Sequence, residues 1–438
     1  FEQFVEENNL LNYSVGENDD AEIRKKFLEA PGFPETVKNK LADFIKIIKD
    51  PLAIRSSSML EDSQYQPFAG VYQTFMIPNN NQSDEIRLNE LLQTIKLVYA
   101  STFFKKVKDY MKVTAYKLEE EKMAVIIQRL VGSEHNGRFY PDFAGVAKSY
   151  NFYPVPPQKA TDGIVLVALG LGKTVVEGGN TVRFCHKYPK HLNQFINTKE
   201  AIRHAQQNFF ALNLKLGLDD DGNISPEKFV EEFDTSYAEE DQTLSYVGST
   251  YSLDNDTVYD GISRSGKRII TFAPILKHKI YPLPEILDVM LTMGTWGMGT
   301  EVEIEFAANM GLPNTTHKEF AMLQIRPLVL TRELEELNIQ VPTTQELICG
   351  SDMVLGNGVS KNIHDIVFVD IQKYERSKSK AVADEVRQFN EILVKSKRPY
   401  VLIGVGRWGS LDPWLGIPVT WDQISGACTI VESGFKDI

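Results

Sequence analysis

The sequence has few cysteines, no long apolar run and no excess of basic residues, and each of these features excludes a class of protein. The cysteines, Cys185, Cys349 and Cys428, are odd in number and far apart. This excludes a disulfide framework and a paired zinc site, and predicts buried or partly buried free thiols. No stretch reaches the roughly 18 apolar residues of a membrane helix. The net charge of −12 gives little counterion release on DNA or RNA. We therefore expect a cytoplasmic protein with no membrane or nucleic-acid partner.

Several metal and phosphate motifs are also missing. The 7 histidines have no HxxxH or HExxH spacing, so no zinc enzyme is expected. The segment 219–230 resembles a calcium loop, but Ile224 and Val230 occupy positions that need glycine and glutamate. The run GLGK (170–173) fails as a P-loop, because Val167 stands where the first glycine is required. That run predicts a glycine-rich turn, which is either structural or close to a phosphate.

A length of 438 residues with 42% apolar composition is enough for two or three domains. Amphipathic periodicity predicts helices in 1–50 and 86–113, and apolar runs predict a buried strand at 123–131. The segment 163–179 predicts a strand, a glycine turn, and then a strand or short helix. Further along the chain, a charged helix at 373–396 lies between segments near 351–370 and 399–405, which is typical of a separate α/β domain.

Arg55 ends an apolar strand and is followed by three serines in AIRSSS. A guanidinium at such a point can bind phosphate oxygens with two donors while the turn supplies backbone N–H groups. In the following FAG, Gly70 would let the backbone approach a phosphate, since it has no Cβ. The alternative is a surface arginine paired with Glu61 and Asp62, which would contribute little to stability.

A second polar group lies on two predicted strands, VEIEF (302–306) and LQIRP (323–327), which we expect to pair like a hairpin. Strand alternation puts Glu303 and Glu305 on one face of the first strand, and Gln324 and Arg326 on one face of the second. Carboxylates in this arrangement suit Mg²⁺, and the arginine suits phosphate. The alternative is a solvated strand face with cross-strand ion pairs.

These pieces occur in a fixed order with three others. Taken together, the chain resembles the nucleotide-binding region of the phosphoenolpyruvate synthase and pyruvate phosphate dikinase family over residues 45–330. The motifs that carry the resemblance are IRSSSMLED (54–62), PFAGVYQT (67–74), VIIQRLV (125–131), GLGKTVVEGG (170–179), EIE (303–305) and LQIRP (323–327).

The resemblance implies an α+β, ATP-grasp-type nucleotide-binding module with subdomains, followed by a smaller α/β domain. The expected divisions are a first ATP-grasp subdomain at 1–195, an acidic helical insertion at 196–262, a second ATP-grasp portion at 263–338 and the α/β domain at 339–438. The resemblance implies roles for eight residues. Arg55 and Arg326 would contact phosphates and act in catalysis. Gly70 and Thr74 would lie in a loop over the phosphates, and Gln128 would lie near the adenine. Glu303 and Glu305 would hold Mg²⁺, and Gln324 would lie beside the metal.

The chain departs from the family pattern at several points. A GGK segment that precedes these motifs in the family is absent, Lys173 replaces a glutamate and Glu303 replaces an aspartate. No histidine has the family's T–x–GG–x–T–x–H context, and residues 340–438 match neither the carrier nor the pyruvate-binding domain. We therefore expect a fragment of a longer polypeptide that binds Mg-ATP and transfers phosphoryl groups, with pyruvate as a candidate acceptor. The alternative is a nucleotide-sensing or regulatory module that lacks the phosphohistidine cycle.

Overall fold

The computed structural model of the chain comprises two compact units, Phe1–Thr331 and Arg332–Ile438. It describes all residues except 59–60, 62–71, 113–116, 153, 156, 196–197, 199–200, 203–204, 218–225, 312–317, 329–348, 352–353, 355–359, 362, 411–414 and 435–438. Helix and strand are mixed along the chain, in agreement with the α+β expectation at that level. The boundaries of the four predicted divisions remain predictions.

The helices predicted in 1–50, 86–113 and 373–396 are present among the described residues. The long helix at 84–101, for example, starts after Ser83, whose hydroxyl accepts from the backbone N–H of Ile86, and has acidic residues in its first turn. The helices are α1 Glu2–Glu7, α2 Leu11–Gly16, α3 Asp20–Glu29, α4 Glu35–Ile47, α5 Asp84–Ser101, α6 Lys105–Lys112, α7 Lys173–Val176, α8 Thr235–Glu240, α9 Ala273–Leu276, α10 Leu283–Met298 and α11 Ser379–Lys395.

The strands form six sheets in the described residues. They are β1 Leu52–Ser57, β2 Thr74–Ile77, β3 Ala124–Arg129, β4 Ser133–His135, β5 Arg138–Tyr140, β6 Phe143–Lys148, β7 Ile164–Ala168, β8 Val182–Phe184, β9 Asn208–Asn213, β10 Val230–Asp234, β11 Gly248–Ser252, β12 Thr257–Asp260, β13 Lys267–Ile270, β14 Val302–Asn309, β15 Glu319–Pro327, β16 Asp365–Phe368, β17 Tyr400–Val405, β18 Arg407–Trp408, β19 Gly416–Ile417 and β20 Ala427–Ser433.

Two sheets of the first unit matter most for function. One is three-stranded with the order β2-β1-β3, and the other is five-stranded with the order β15-β14-β6-β7-β8. The predicted pairing of VEIEF with LQIRP is confirmed, since β14 and β15 are antiparallel neighbours. Helix α10 packs against β14 and β6. The apolar side chains of β14, including Ile304 and Phe306, are fully buried, so its polar side chains occupy the opposite face.

The structure corrects two expectations about the first unit. The range 196–262 contains the strands β9 to β12, so strand and helix are mixed there and it is not a helical lobe. Part of its acidic character lies on β10, where exposed Glu232 and Asp234 alternate with partly buried Phe233, a period of two that composition alone concealed. The strand predicted at 123–131 is present as β3 but is not fully buried, because it forms the edge of its sheet and Ile126 is 49% exposed.

The second unit contains a parallel sheet with the order β16-β17-β20 and a second, two-stranded sheet of β18 and β19. Helix α11 lies between β16 and β17 in the chain, and its apolar residues Ala383 and Val386 share a core with Tyr400 and Leu402 of β17. A crossover helix between parallel strands is the expected connection in an α/β arrangement.

The cysteine expectation holds only in part. All three thiols are free, but Cys349 and Cys428 are exposed while Cys185 is buried. Among the described helices, none has the length and apolar character that crossing a membrane requires.

Candidate functional site

The polar face of β14 and β15 forms the base of the candidate site. Antiparallel pairing places Glu303 opposite Arg326 and Glu305 opposite Gln324. Paired residues project from the same face of a sheet. The four side chains therefore lie together on one face, as the strand alternation predicted.

Arg55 reaches this face from a different sheet. It lies on β1, and its Nη2 atom donates to Oε2 of Glu305 at 2.8 Å and to Oε1 of Gln324 at 2.6 Å. The Arg55 and Glu305 side chains are only 18% and 17% exposed, so the ion pair is shielded from solvent on most sides. The contact joins residues 250 positions apart in the chain, so Arg55 and the paired strands lie at one site.

The alternative partners of Arg55 were Glu61 and Asp62. The structure gives Glu61 another role: its carboxylate accepts from the hydroxyl of Ser56 and from the backbone N–H of Ser58. Glu61 thereby binds two of the serines that follow Arg55. Asp62 lies outside the described residues.

Glu303 lies at the centre of a row of alternating charge that crosses three strands. Its Oε1 accepts from Nε of Arg326 at 2.7 Å and also from Nη2 of the same guanidinium. Its Oε2 lies 2.6 Å from Nζ of Lys148 on β6. The register places Lys148 directly opposite Glu303, on the side away from Arg326.

Electrostatics in this row favour the ionised carboxylate. Burial alone would raise the pKa of Glu303, but the charges and hydrogen bonds of Lys148 and Arg326 outweigh that effect, and the pKa lies below its ordinary value. Arg326 also lies 4.0 Å from Oε1 of Glu305, so it connects the two carboxylates.

Lys148 is the residue that sequence reasoning missed. It ends an apolar strand, FAGVAK, where a single lysine reads as a solvated strand terminus. Only the pairing of β6 with β14 identifies it as part of the site, and that pairing joins residues more than 150 positions apart. The local sequence carries no signal for it.

Two other predicted site residues, Thr74 and Gln128, lie on the sheet of Arg55. Thr74 is paired with Arg55 across β2 and β1, and Gln128 is paired with Ala53 across β3 and β1. Since Ala53 and Arg55 are two positions apart on one strand, Thr74, Gln128 and Arg55 share a face of the sheet. Gly70 lies outside the described residues.

The glycine-rich turn at 170–173 has a structural explanation. Gly170 has a φ of +83°, and a Cβ there would lie 2.7 Å from the carbonyl oxygen of Phe210. Leu171 donates to that same carbonyl at 2.9 Å. Lys173 lies 4.5 Å from the centre of the Phe210 ring. The turn therefore packs closely against β9, which accounts for the glycine without a phosphate.

Comparison with known proteins gives the family. The sequence model of the pyruvate phosphate dikinase AMP/ATP-binding domain matches residues 2–347. The chain is similar to the uncharacterized phosphotransferase YvkC of Bacillus subtilis, with 31% identity over 152 residues, or 34% of this chain and 16% of that protein. It is also similar to a phosphoenolpyruvate synthase of Aeropyrum pernix, with 26% identity over 163 residues, or 36% of this chain and 18% of that protein. The aligned part thus spans less than a fifth of either relative. The match over 2–347 takes in every strand of the candidate site, and the chain belongs to the family of pyruvate phosphate dikinase AMP/ATP-binding domains.

Proposed function

We propose that the chain binds ATP together with Mg²⁺ at the site formed by Arg55, Lys148, Glu305, Gln324 and Arg326, and that it transfers a phosphoryl group from that ATP. The observation that carries the proposal is the contact of Arg55 with both Glu305 and Gln324. This contact brings an arginine suited to bind phosphate beside a carboxylate suited to bind a metal ion, although the two residues lie on different sheets. The domain belongs to a family of AMP/ATP-binding domains.

The charge of the cluster suits a nucleotide. Three cations, Arg55, Lys148 and Arg326, surround two carboxylates, Glu303 and Glu305, which leaves one net positive charge at neutral pH. A triphosphate with its metal would find both hydrogen-bond donors for phosphate oxygens and acceptors for the cation.

The oxygen donors fit Mg²⁺. This ion is usually held by one or two carboxylates and by substrate phosphates while it keeps several waters. The side chain of Glu305 is 17% exposed. Glu305 is paired with Gln324 across the two strands, and the oxygens of both side chains accept from the same nitrogen of Arg55. These two oxygens would hold the ion. Bound Mg²⁺ would neutralise charge on the phosphates.

The chain's own residues would then bind and orient the phosphates. Arg55 has donors beyond the one that contacts Glu305 and Gln324, and guanidinium groups bind phosphate oxygens with two donors at once. Arg326 is held in place by its contacts with Glu303. A fixed cation is effective in phosphoryl transfer because it needs no rearrangement as charge develops.

Other parts of the proposal depend on the family. They are an ATP-grasp arrangement of the subdomains, a loop containing Gly70 and Thr74 over the phosphates, Gln128 near the adenine, and pyruvate as a candidate acceptor. We also propose a cytoplasmic location and further domains of the same polypeptide. The relative from Aeropyrum pernix is named a phosphoenolpyruvate synthase, which supports pyruvate chemistry over other acceptors.

Glu305→Gln tests the proposal in the full natural polypeptide. The neutral side chain should abolish Mg²⁺-dependent ATP turnover while the fold is retained. The expected loss of stability is about 1–2 kcal/mol, since the amide still accepts from Arg55 but the charge is lost. The measurements are phosphate release at several Mg²⁺ concentrations and thermal melting.

Glu285→Gln is the matched control. Glu285 lies in α10, and its carboxylate pairs with Lys279 at 3.2 Å with 54% of the side chain exposed. This variant should turn over ATP like the wild type. Wild-type turnover in Glu305→Gln would refute the assignment, and ATP binding by the wild type without any phosphoryl transfer would favour a nucleotide sensor.

A further inference from the structure

In the row Arg326–Glu303–Lys148, two cations pair with one carboxylate, although one cation is enough to neutralise its charge. Arg326 alone already gives Glu303 two hydrogen bonds to Oε1. Lys148 adds a contact to Oε2 at 2.6 Å, so both oxygens of Glu303 are engaged. The row carries a net positive charge on the face where Arg55 also lies.

Exposure within the row is graded. The side chain of Glu303 is 8% exposed, that of Arg326 is 22% and that of Lys148 is 32%. The carboxylate of Glu303 is therefore buried beneath Arg326 and Lys148, which lie nearer the protein surface. A lysine has three N–H donors and an arginine five, so after their bonds to Glu303 both cations retain donors that can reach a second anion.

The position of Lys148 is fixed by the backbone as well. Lys148 is the last residue of β6, and the next residue, Ser149, continues the pairing with β14: its backbone N–H donates to the carbonyl of Val302 at 2.9 Å, and its hydroxyl accepts from the N–H of Val302 at 2.8 Å. The backbone of Lys148 is held by strand pairing, and its ammonium group is held by buried Glu303. The side chain is therefore already ordered, so less conformational entropy is lost when a ligand binds.

We propose that Lys148 and Arg326 form a two-cation clamp for the phosphate oxygens of the nucleotide, and that Glu303 is the positioning residue that holds both cations and is not a metal ligand. The clamp rests on the proposed function of the same site. It leaves Mg²⁺ to Glu305 and Gln324, and it changes the role that the sequence predicted for Glu303.

The first test compares Lys148→Met with Lys148→Arg in the full natural polypeptide. Affinities for ATP and for adenosine are measured by calorimetry in EDTA, so that no metal contributes. Loss of one charge-assisted hydrogen bond to phosphate should weaken ATP binding about 10- to 100-fold. Adenosine affinity should not change, and Lys148→Arg should recover most of the ATP affinity. ATP affinity within about twofold of wild type in Lys148→Met would overturn the clamp, since a charged contact is worth more than that.

Lys187→Met is the matched control. Lys187 pairs with Asp162 at 3.1 Å with 47% of its side chain exposed, and it should bind ATP like the wild type. If Lys148→Met fails to fold by thermal melting, Lys148→Gln replaces it, because its amide can still donate to Glu303.

The second test separates the two carboxylates. The Mg²⁺ concentration that gives half-maximal ATP binding is measured for Glu303→Gln and Glu305→Gln. We expect it to rise at least about tenfold in Glu305→Gln, as for loss of a metal ligand, and to stay near wild type in Glu303→Gln. An equal rise in both variants would make Glu303 a metal ligand and overturn its positioning role.

Failures of the two proposals are distinguishable. If the wild type binds no ATP, the proposed function fails and the clamp fails with it. If the wild type binds ATP and Glu305→Gln loses its Mg²⁺ dependence while Lys148→Met binds normally, the proposed function stands and only the clamp is wrong.

Discussion

Arg55→Met would remove the link between the two sheets that form the site. Arg55 is the residue of β1 that reaches β14 and β15, through bonds of 2.8 Å to Glu305 and 2.6 Å to Gln324. Methionine keeps an unbranched apolar stem of similar length, so the change removes the charge and its donors while most of the packing remains.

The effect on stability should be moderate. A hydrogen bond to a charged group contributes about 1.5–3 kcal/mol, and the pair is partly exposed, which reduces this value. Glu305 also keeps Arg326 at 4.0 Å, so its carboxylate is not left unpaired. We expect a loss of about 1–2 kcal/mol in the free energy of unfolding.

The effect on nucleotide binding should be larger. Loss of one or two charge-assisted bonds to phosphate oxygens should weaken ATP binding by about 1.5–3 kcal/mol for each bond, or at least about tenfold. Calorimetric titration with ATP measures this, and chemical denaturation measures the stability change separately.

Arg129→Met is the matched control in the same sheet. Arg129 lies on β3, and its Nε is 3.1 Å from Asp50, with 65% of its side chain exposed. It should bind ATP normally and lose little stability. Normal ATP affinity in Arg55→Met would refute the reasoning, because the arginine would then serve only to pair Glu305.

Two further predictions concern Arg326 and Asp142. Arg326→Ala should weaken ATP binding by about 1.5–3 kcal/mol or more, which calorimetry measures. It should also lower the melting temperature, because buried Glu303 would keep only Lys148 as its partner. Unchanged ATP affinity would count against the site. Burial raises the pKa of Asp142 to about 7. The hydrogen bond that its carboxylate accepts from the N–H of Met310, at 2.5 Å, lowers the pKa but does not offset the effect of burial. A carboxyl whose folded pKa is raised contributes stability that is complete below its unfolded pKa and is lost as the pH rises towards 7. The wild type should therefore lose on the order of 2 kcal/mol more than Asp142→Asn between pH 5 and pH 7, and parallel loss of stability in both proteins would contradict this.

The sequence allowed the paired strands of the site to be predicted because their information is local. Alternation of apolar and polar residues in VEIEF and LQIRP assigned Glu303, Glu305, Gln324 and Arg326 to one face, and the structure pairs them in that way. The helices at the start of the chain and at 84–101 carried an equally local signal in their periodicity and capping.

What could not be predicted depends on pairings between distant strands. Lys148 joins the site only because β6 lies beside β14, and a lone lysine after an apolar run gives no indication of that neighbour. The strands between 196 and 262 are hard to recognise because polar and acidic residues, such as Glu231 and Glu232 of β10, stand among their apolar ones. Polar composition favours a helical insertion, although Phe209 and Phe233 are paired across β9 and β10.

The most direct test of the central claim is a crystal structure of the protein with Mg²⁺ and a non-hydrolysable ATP analogue. We predict that the phosphates contact Arg55, Arg326 and Lys148, and that the metal is bound to Glu305. A nucleotide bound elsewhere on the chain, with the Arg55–Glu305 and Lys148–Glu303 pairs unchanged and without phosphate contacts, would contradict it.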